Sequence, residues 1–208
     1  MKMHVFVCRS FQNGMALLVT LLVLLVVLML GIAASQIAIQ GEKSSRNDRD
    51  HQIAFQAAEA ALLDAEMDIE HAPDGGRSRS DLFSNVSAIG FPVVAGSPCG
   101  SGENNRYLGL CHRSESGAVP IWHGVNFMDN TATTSSSVSY GRFTGQSFHT
   151  ANGSLPSKLP RYIVELMPYK MPGTSVDAPS YLYRITAVGF GAKETTQVAL
   201  QTVYRKTH

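Results

Sequence analysis

Two scarcities organise this chain. From Met15 to Ala34, in MALLVTLLVLLVVLMLGIAA, twenty residues pass without a charge. From Met15 to Ala72 there is no proline, and the only glycines are Gly31 and Gly41. The first absence excludes a helix in a soluble core, which needs a polar face to meet water. The second leaves nothing strong to interrupt a helix before Pro73-Asp74-Gly75-Gly76. Recognisable chemistry is also scarce: the chain has no GxSxG elbow, no HExxH and no P-loop, so no enzyme class is indicated. Gly189-Phe190-Gly191-Ala192-Lys193-Glu194 breaks the dinucleotide pattern and reads as a hairpin turn. A field of one charge sign is missing as well. With 17 basic and 16 acidic residues, the chain offers nucleic acid no basic surface. Arg77-Ser78-Arg79 reads as solvated loop or as partners of a helix dipole, and His51, His71, His112, His123, His149 and His208 are scattered.

The apolar run is what remains. Twenty residues at helical rise reach roughly 30 Å, the hydrocarbon thickness of a bilayer. Lys2 and Arg9 precede it with no acid, so the leader stays in the cytoplasm and the long C-terminal part is exported. A plain anchor and a secretory signal, cut after Gly31 near Ala33 and Ser35, both compete. The run is longer than the usual signal core of roughly 7 to 15 residues. After polar Glu42 to Gln52, apolar residues return at Ala54, Phe55, Ala58, Ala61, Leu62, Ala65 and Ile69, a helical stripe. Asp64, Glu66, Asp68 and Glu70 read as the opposite, solvated face. A straight helix from Met15 to His71 would be about 85 Å long, and few architectures use one.

A short basic leader ending in Gly14, followed at once by Met15-Ala16-Leu17-Leu18-Val19, resembles the start of type IV pilins and pseudopilins. With Asp48-Arg49-Asp50-His51-Gln52-Ile53-Ala54-Phe55-Gln56-Ala57-Ala58-Glu59-Ala60-Ala61-Leu62, the chain resembles the PilX group of minor pilins. That resemblance implies an α+β pilin fold, a long N-terminal helix packed through Phe55, Ala58, Leu62 and Ile69 on an antiparallel sheet. It implies prepilin peptidase cleavage between Gly14 and Met15, and N-methylation of Met15. The implied divisions are leader 1–14, membrane and fibre-core helix 15–36, amphipathic helix 37–72, loop-rich head 73–160 and head strands 161–208. No cofactor is implied. Implied partners are minor pilins of the PilV, PilW and FimU types, the major pilin, a large tip adhesin, prepilin peptidase and the inner membrane. A tip pseudopilin of type II secretion is the alternative, although that member carries a large extra domain for which this chain has no room.

One departure from the family pattern stands out. Most pilins carry glutamate as the fifth mature residue, where this chain has Val19. Val19 cannot neutralise the N-terminal amine of a neighbour, which points to a one-sided place at the fibre tip. Cleavage after Gly14 would discard Cys8 and leave Cys99 and Cys111. In an oxidising periplasm these two read as a bridge closing a loop rich in Gly, Ser and Asn. The alternative is a metal site with His112 and His123, whose spacing fits no established zinc pattern.

In the head, TATTSSSVS at Thr131 to Ser139 reads as an exposed loop or linker. Tyr162 to Met167, Tyr181 to Phe190 and Thr195 to Arg205 read as three antiparallel strands, polar on one face and packed on the other.

Overall fold

The structure is a computed structural model that describes residues 15–71, 76–91, 98–113, 118–151, 153–170 and 180–207. Cys8, Gly14 and the joining segment 171–179 lie outside the described residues. The first element, α1 (Met15–Glu70), is 56 residues long and runs through both Gly31 and Gly41. Two compact units divide the chain, Met1–Asn47 and Asp48–His208.

In the first unit every described residue is helical and exposed. Its apolar side chains have no protein to cover them. Thr20 turns its hydroxyl back to the Leu17 carbonyl at 2.9 Å, which satisfies the one polar side chain inside the run. Charge begins at Glu42, which meets Arg46 at 2.5 Å one helical turn later.

The second unit is an α+β fold. A five-stranded sheet is built from β1 (Leu110–His112), β2 (Val138–Ser139), β3 (Arg161–Tyr169), β4 (Ser180–Phe190) and β5 (Gln197–Tyr204). The main order is β1-β3-β4-β5, with β2 also paired to β3. The three long strands are antiparallel: Tyr162 lies opposite Ala187, and Ala187 opposite Leu200. The last two thus fall where their β-branched and aromatic residues alternate. The two short strands are additions to the expected sheet, and β1 runs parallel to β3.

Alternation sorts β3 into two cores. Tyr162, Val164 and Leu166 join Ala61, Ala65 and Ile69 of α1, together with Tyr183, Ile185 and Ala187 of β4. On the opposite face Ile163 packs with Cys99, Cys111, Val188 and Phe190, and with Ile121 of a single helical turn, α2 (Ile121–Gly124). The expected polar outer face is therefore largely covered. Glu165 on that face is fully buried, and the Arg184 directly across the ladder meets it at 2.7 and 2.8 Å.

The helix approaches the sheet through its smallest residues. Ala54, Ala57, Ala58, Ala61 and Ala65 are all buried. Gly189 makes the approach possible, because a Cβ there would fall on the backbone of Ala54 and Ala58.

Candidate functional site: an apolar helix segment and a polar-anchored head

Met15 and Val19 lie on the exposed apolar segment, 69% and 57% accessible. No carboxylate occurs from Met15 to Gly41. By length and composition α1 is able to cross a membrane. Such a segment needs a non-aqueous partner, because roughly 1.5–3 kcal/mol accompanies the burial of each large aliphatic side chain.

Within the head, the helix carries the opposite kind of residue. Asp50, Asp64 and Asp68 are buried, and their positions 14 and 4 residues apart put them on the alanine side of α1. The reading of Asp64 and Asp68 as a solvated acidic face is thus corrected. Arg79 is corrected with them: it is 1% exposed, not a solvated loop residue.

Each carboxylate is held by donors from distant segments. Arg79 Nε donates to both Asp68 oxygens at 3.0 Å, and its Nη2 donates to Oδ2 at 2.6 Å. Its Nη1 donates to the carbonyls of Arg106 and Leu108 at 2.9 and 2.7 Å. The guanidinium also lies 3.7 Å from the ring centre of Phe143. Tyr162 donates its hydroxyl to Asp68 Oδ2 at 2.9 Å, and burial, with the Asp68 charge beside it, pushes that phenol well up. Asp64 accepts from the Gly141 N–H at 2.8 Å and from the Thr144 hydroxyl. Burial dominates there and raises its carboxyl against those two hydrogen bonds.

Asp50 does similar work at the other end of the head. Its Oδ1 accepts from the N–H groups of Ala192 and Lys193 at 2.5 and 3.3 Å, and Oδ2 accepts from Thr196 Oγ1 at 2.5 Å. Burial opposes its charge. The Thr196 hydroxyl, the two N–H groups and the Lys193 charge together outweigh that and hold the carboxyl below its usual value. A Cβ on Gly191 would collide with this carboxylate, so the β4–β5 turn and Asp50 are mutually fitted. Glu70 closes the helix by accepting from Tyr204 at 2.8 Å and from the Thr207 N–H at 3.0 Å. Burial, followed by the Glu70 hydrogen bond and the charges of Glu70 and Glu66, pushes the Tyr204 phenol up to about 12.

The packing residues expected on α1 divide. Ala58 and Ile69 are buried, and Leu62 packs at the edge of the inner core. Phe55 is 44% exposed, because the close approach at Gly189 leaves the interface to alanines. Cys99 and Cys111 form a disulfide, so neither is free as a thiolate ligand. Both are buried, and Cys111 sits in β1 rather than in a loose loop. Among the described residues no group of three or more His, Cys, Asp or Glu could hold a metal ion. Thr131 to Ser139 is likewise more than an exposed linker: Ser135, Ser137 and Val138 are buried, and Val138 begins β2.

Missing from the sequence reading were Asp50, Asp64, Asp68 and Arg79 as structural anchors. A signal existed, since positions 50, 54, 57, 61, 64, 65 and 68 make one continuous helical face in which the aspartates interrupt alanines.

The family model for the C-terminal part of the type IV pilus assembly protein PilX matches residues 98–206, and the PilX N-terminal model matches residues 13–63. No curated protein and no solved structure matches the chain. An exposed apolar helix, an α+β head and two family matches spanning both agree: the chain belongs to the PilX family and is a minor pilin of the type IV pilus, associated with its other components.

Proposed function

We propose that this minor pilin primes pilus assembly at the inner membrane and remains at or near the tip of the fibre, where it serves twitching motility and adhesion. Prepilin peptidase cuts between Gly14 and Met15, and Met15 is N-methylated. Before assembly, residues 15–36 hold the subunit in the inner membrane with the head in the periplasm. Afterwards the same residues pack among the helices of other subunits. Residues 37–72 carry the helix into the head, 73–160 form its loop-rich part and 161–208 its closing strands. Its partners are the PilV, PilW and FimU types of minor pilin, the major pilin and a large tip adhesin.

The observation that carries the tip assignment is Val19. A carboxylate in the hydrocarbon costs roughly 2.5–3.5 kcal/mol and is retained where it finds a partner. Val19 offers none, so this subunit can present its own amine to a neighbour but cannot receive one. Two measurements test the reading. The protein in sheared surface fibres should begin at N-methylated Met15; an N-terminus at Met1 or Gln36 would overturn the assignment. Val19→Glu should spread the subunit from fibre ends into the shaft, seen by immunogold labelling, and unchanged end labelling would remove the argument from Val19.

A further inference from the structure

The two edges of the head sheet are treated differently. The β1 edge is occupied, because Gly100 N–H donates to the Leu110 carbonyl at 3.0 Å and His112 N–H to the Pro98 carbonyl at 3.1 Å. Among the described residues the β5 edge is bare: no backbone hydrogen bond reaches Gln197–Tyr204 from any strand but β4. After Tyr204 the chain does not turn across that edge. It goes back toward α1 and Ser80, with Lys206 Nζ donating to the Ser80 carbonyl at 2.6 Å.

Exposed edges are normally blunted by a charge, a proline, a bulge or shortness. The strand QVALQTVY has eight residues with no charge, proline or glycine, and its register with β4 is unbroken. Its inward residues Val198, Leu200, Thr202 and Tyr204 are only half-buried, whereas the neighbouring β4 is buried over its last six residues. Apolar surface is exposed beside β5 on the helix side as well. Phe55 occupies the same strip of α1 as Leu62 and Glu66, at i, i+7 and i+11. That strip adjoins Glu70, which bonds Tyr204 of β5. The exposed Phe55 ring is therefore on the flank of α1 that faces β5.

We infer that the β5 edge is an acceptor for an extended strand from another pilus protein, which pairs with Gln197–Tyr204 and turns apolar side chains under Phe55. An unpaired ladder specifies an extended backbone as its occupant, and alternate pockets give it specificity. A second copy of this chain does not fit. Asp50 binds the turn before β5 and Glu70 reaches its end, so the head portion of α1 runs in the same direction as β5. Identical edges join through a twofold antiparallel pairing. That would bring the two chains into their heads at opposite ends, although both are anchored through the residues before Asp48. The occupant is thus a segment of a different subunit, about six to eight residues without proline and apolar at alternate positions. The choice of a pilus protein rests on the function proposed above; the bare edge itself does not.

The test uses the full chain in cells that build its fibre, and reads the ratio of protein in sheared fibres to protein in the membrane. Adjacent N–H groups in a strand point to opposite edges, so of Leu200→Pro and Gln201→Pro one removes a bond to β4 and the other only an outward donor. The outward proline and Phe55→Ser should each keep a protease-resistant, disulfide-bonded head yet lower the fibre-to-membrane ratio at least tenfold. Deuterium exchange of the outward β5 amides should slow at least tenfold between detergent-solubilised protein and fibres. Wild-type ratios in these variants, or equal exchange in the two states, would overturn strand docking. Should both prolines unfold the head, Phe55→Ser and the exchange measurement decide. Wild-type protein that never enters fibres would instead overturn the pilus reading, and this partner with it.

Discussion

Helix α1 obeys two opposite rules along one backbone. From Met15 to Ile39 it exposes large aliphatic side chains and has no ionisable side chain. From Asp50 to Ile69 it buries three aspartates, and its close contacts are alanines. The contrast shows that burial follows the partner rather than the polarity of the residue. Aliphatic residues can stay uncovered by their own chain where lipid or other helices will cover them. Aspartates can be buried where the head brings N–H, hydroxyl and guanidinium donors to meet them. The first segment is completed by association, the second by folding.

The most damaging way to break the comparison is to remove a donor from the head. Arg79→Ala leaves Asp68 buried with only the Tyr162 hydroxyl, and loss of one partner of a buried ion pair costs about 3–5 kcal/mol. Chemical denaturation of the detergent-solubilised chain should show that loss. Asp68→Asn in the same background should recover part of it by removing the stranded charge. A loss below about 1 kcal/mol in the single variant would mean that water replaces Arg79 and that Asp68 is not truly enclosed.

The converse substitution places a carboxylate where no donor is available. Leu24→Asp should weaken membrane insertion by roughly 2.5–3.5 kcal/mol. Head stability should not change, since the exposed Leu24 belongs to the first compact unit and the head is the second. Carbonate extraction should move the variant from the membrane fraction into the soluble one, while its denaturation midpoint stays that of the wild type. Normal membrane retention would show that the run tolerates charge, and the contrast between the two segments would lose its basis.

How much of this was readable in advance follows from the range of each cause. The anchor depends on neighbours in sequence, and twenty uncharged residues declare it. The strands β4 and β5 are similarly local, since Val198, Leu200, Thr202 and Tyr204 alternate with residues that stay exposed. Long-range donors left no comparable trace. Asp64 is satisfied by Gly141 and Thr144, and Asp50 by the turn at Ala192 to Thr196, all more than seventy residues away. Without those donors in view, acids on a helix look solvated. Phe55 fails for a related reason: its size suggests the core, but Gly189 draws the helix so close that alanine fits the interface and the ring is left at the flank. Cys111 looked like a loop residue from its glycines, yet the parallel pairing of Leu110–His112 with β3 places it in the outer core.

The finest test of the polar half is its acid limb, where two aspartates on the same helix act with opposite signs. Asp64 is raised above its unfolded value of 3.8, so the folded state takes up its proton first. As pH falls through the raised value toward 3.8, Asp64 adds stability. Asp50 and Glu70 are lowered from 3.8 and 4.5 respectively, so their contributions are complete above those values and fade as pH falls through the lower folded ones. The midpoint of denaturation should therefore rise slightly on mild acidification and then fall more steeply below about pH 4. Asp64→Asn should reduce the rise to the part that Glu66, also raised by burial, contributes, and should leave the fall. Asp50→Asn should destabilise the head at neutral pH, because its amide cannot accept from all three donors, and should make the fall shallower. An acid limb that Asp50→Asn leaves equally steep would assign the loss to other carboxylates, and would remove the β4–β5 turn from the set of charges that the head holds by hydrogen bonding.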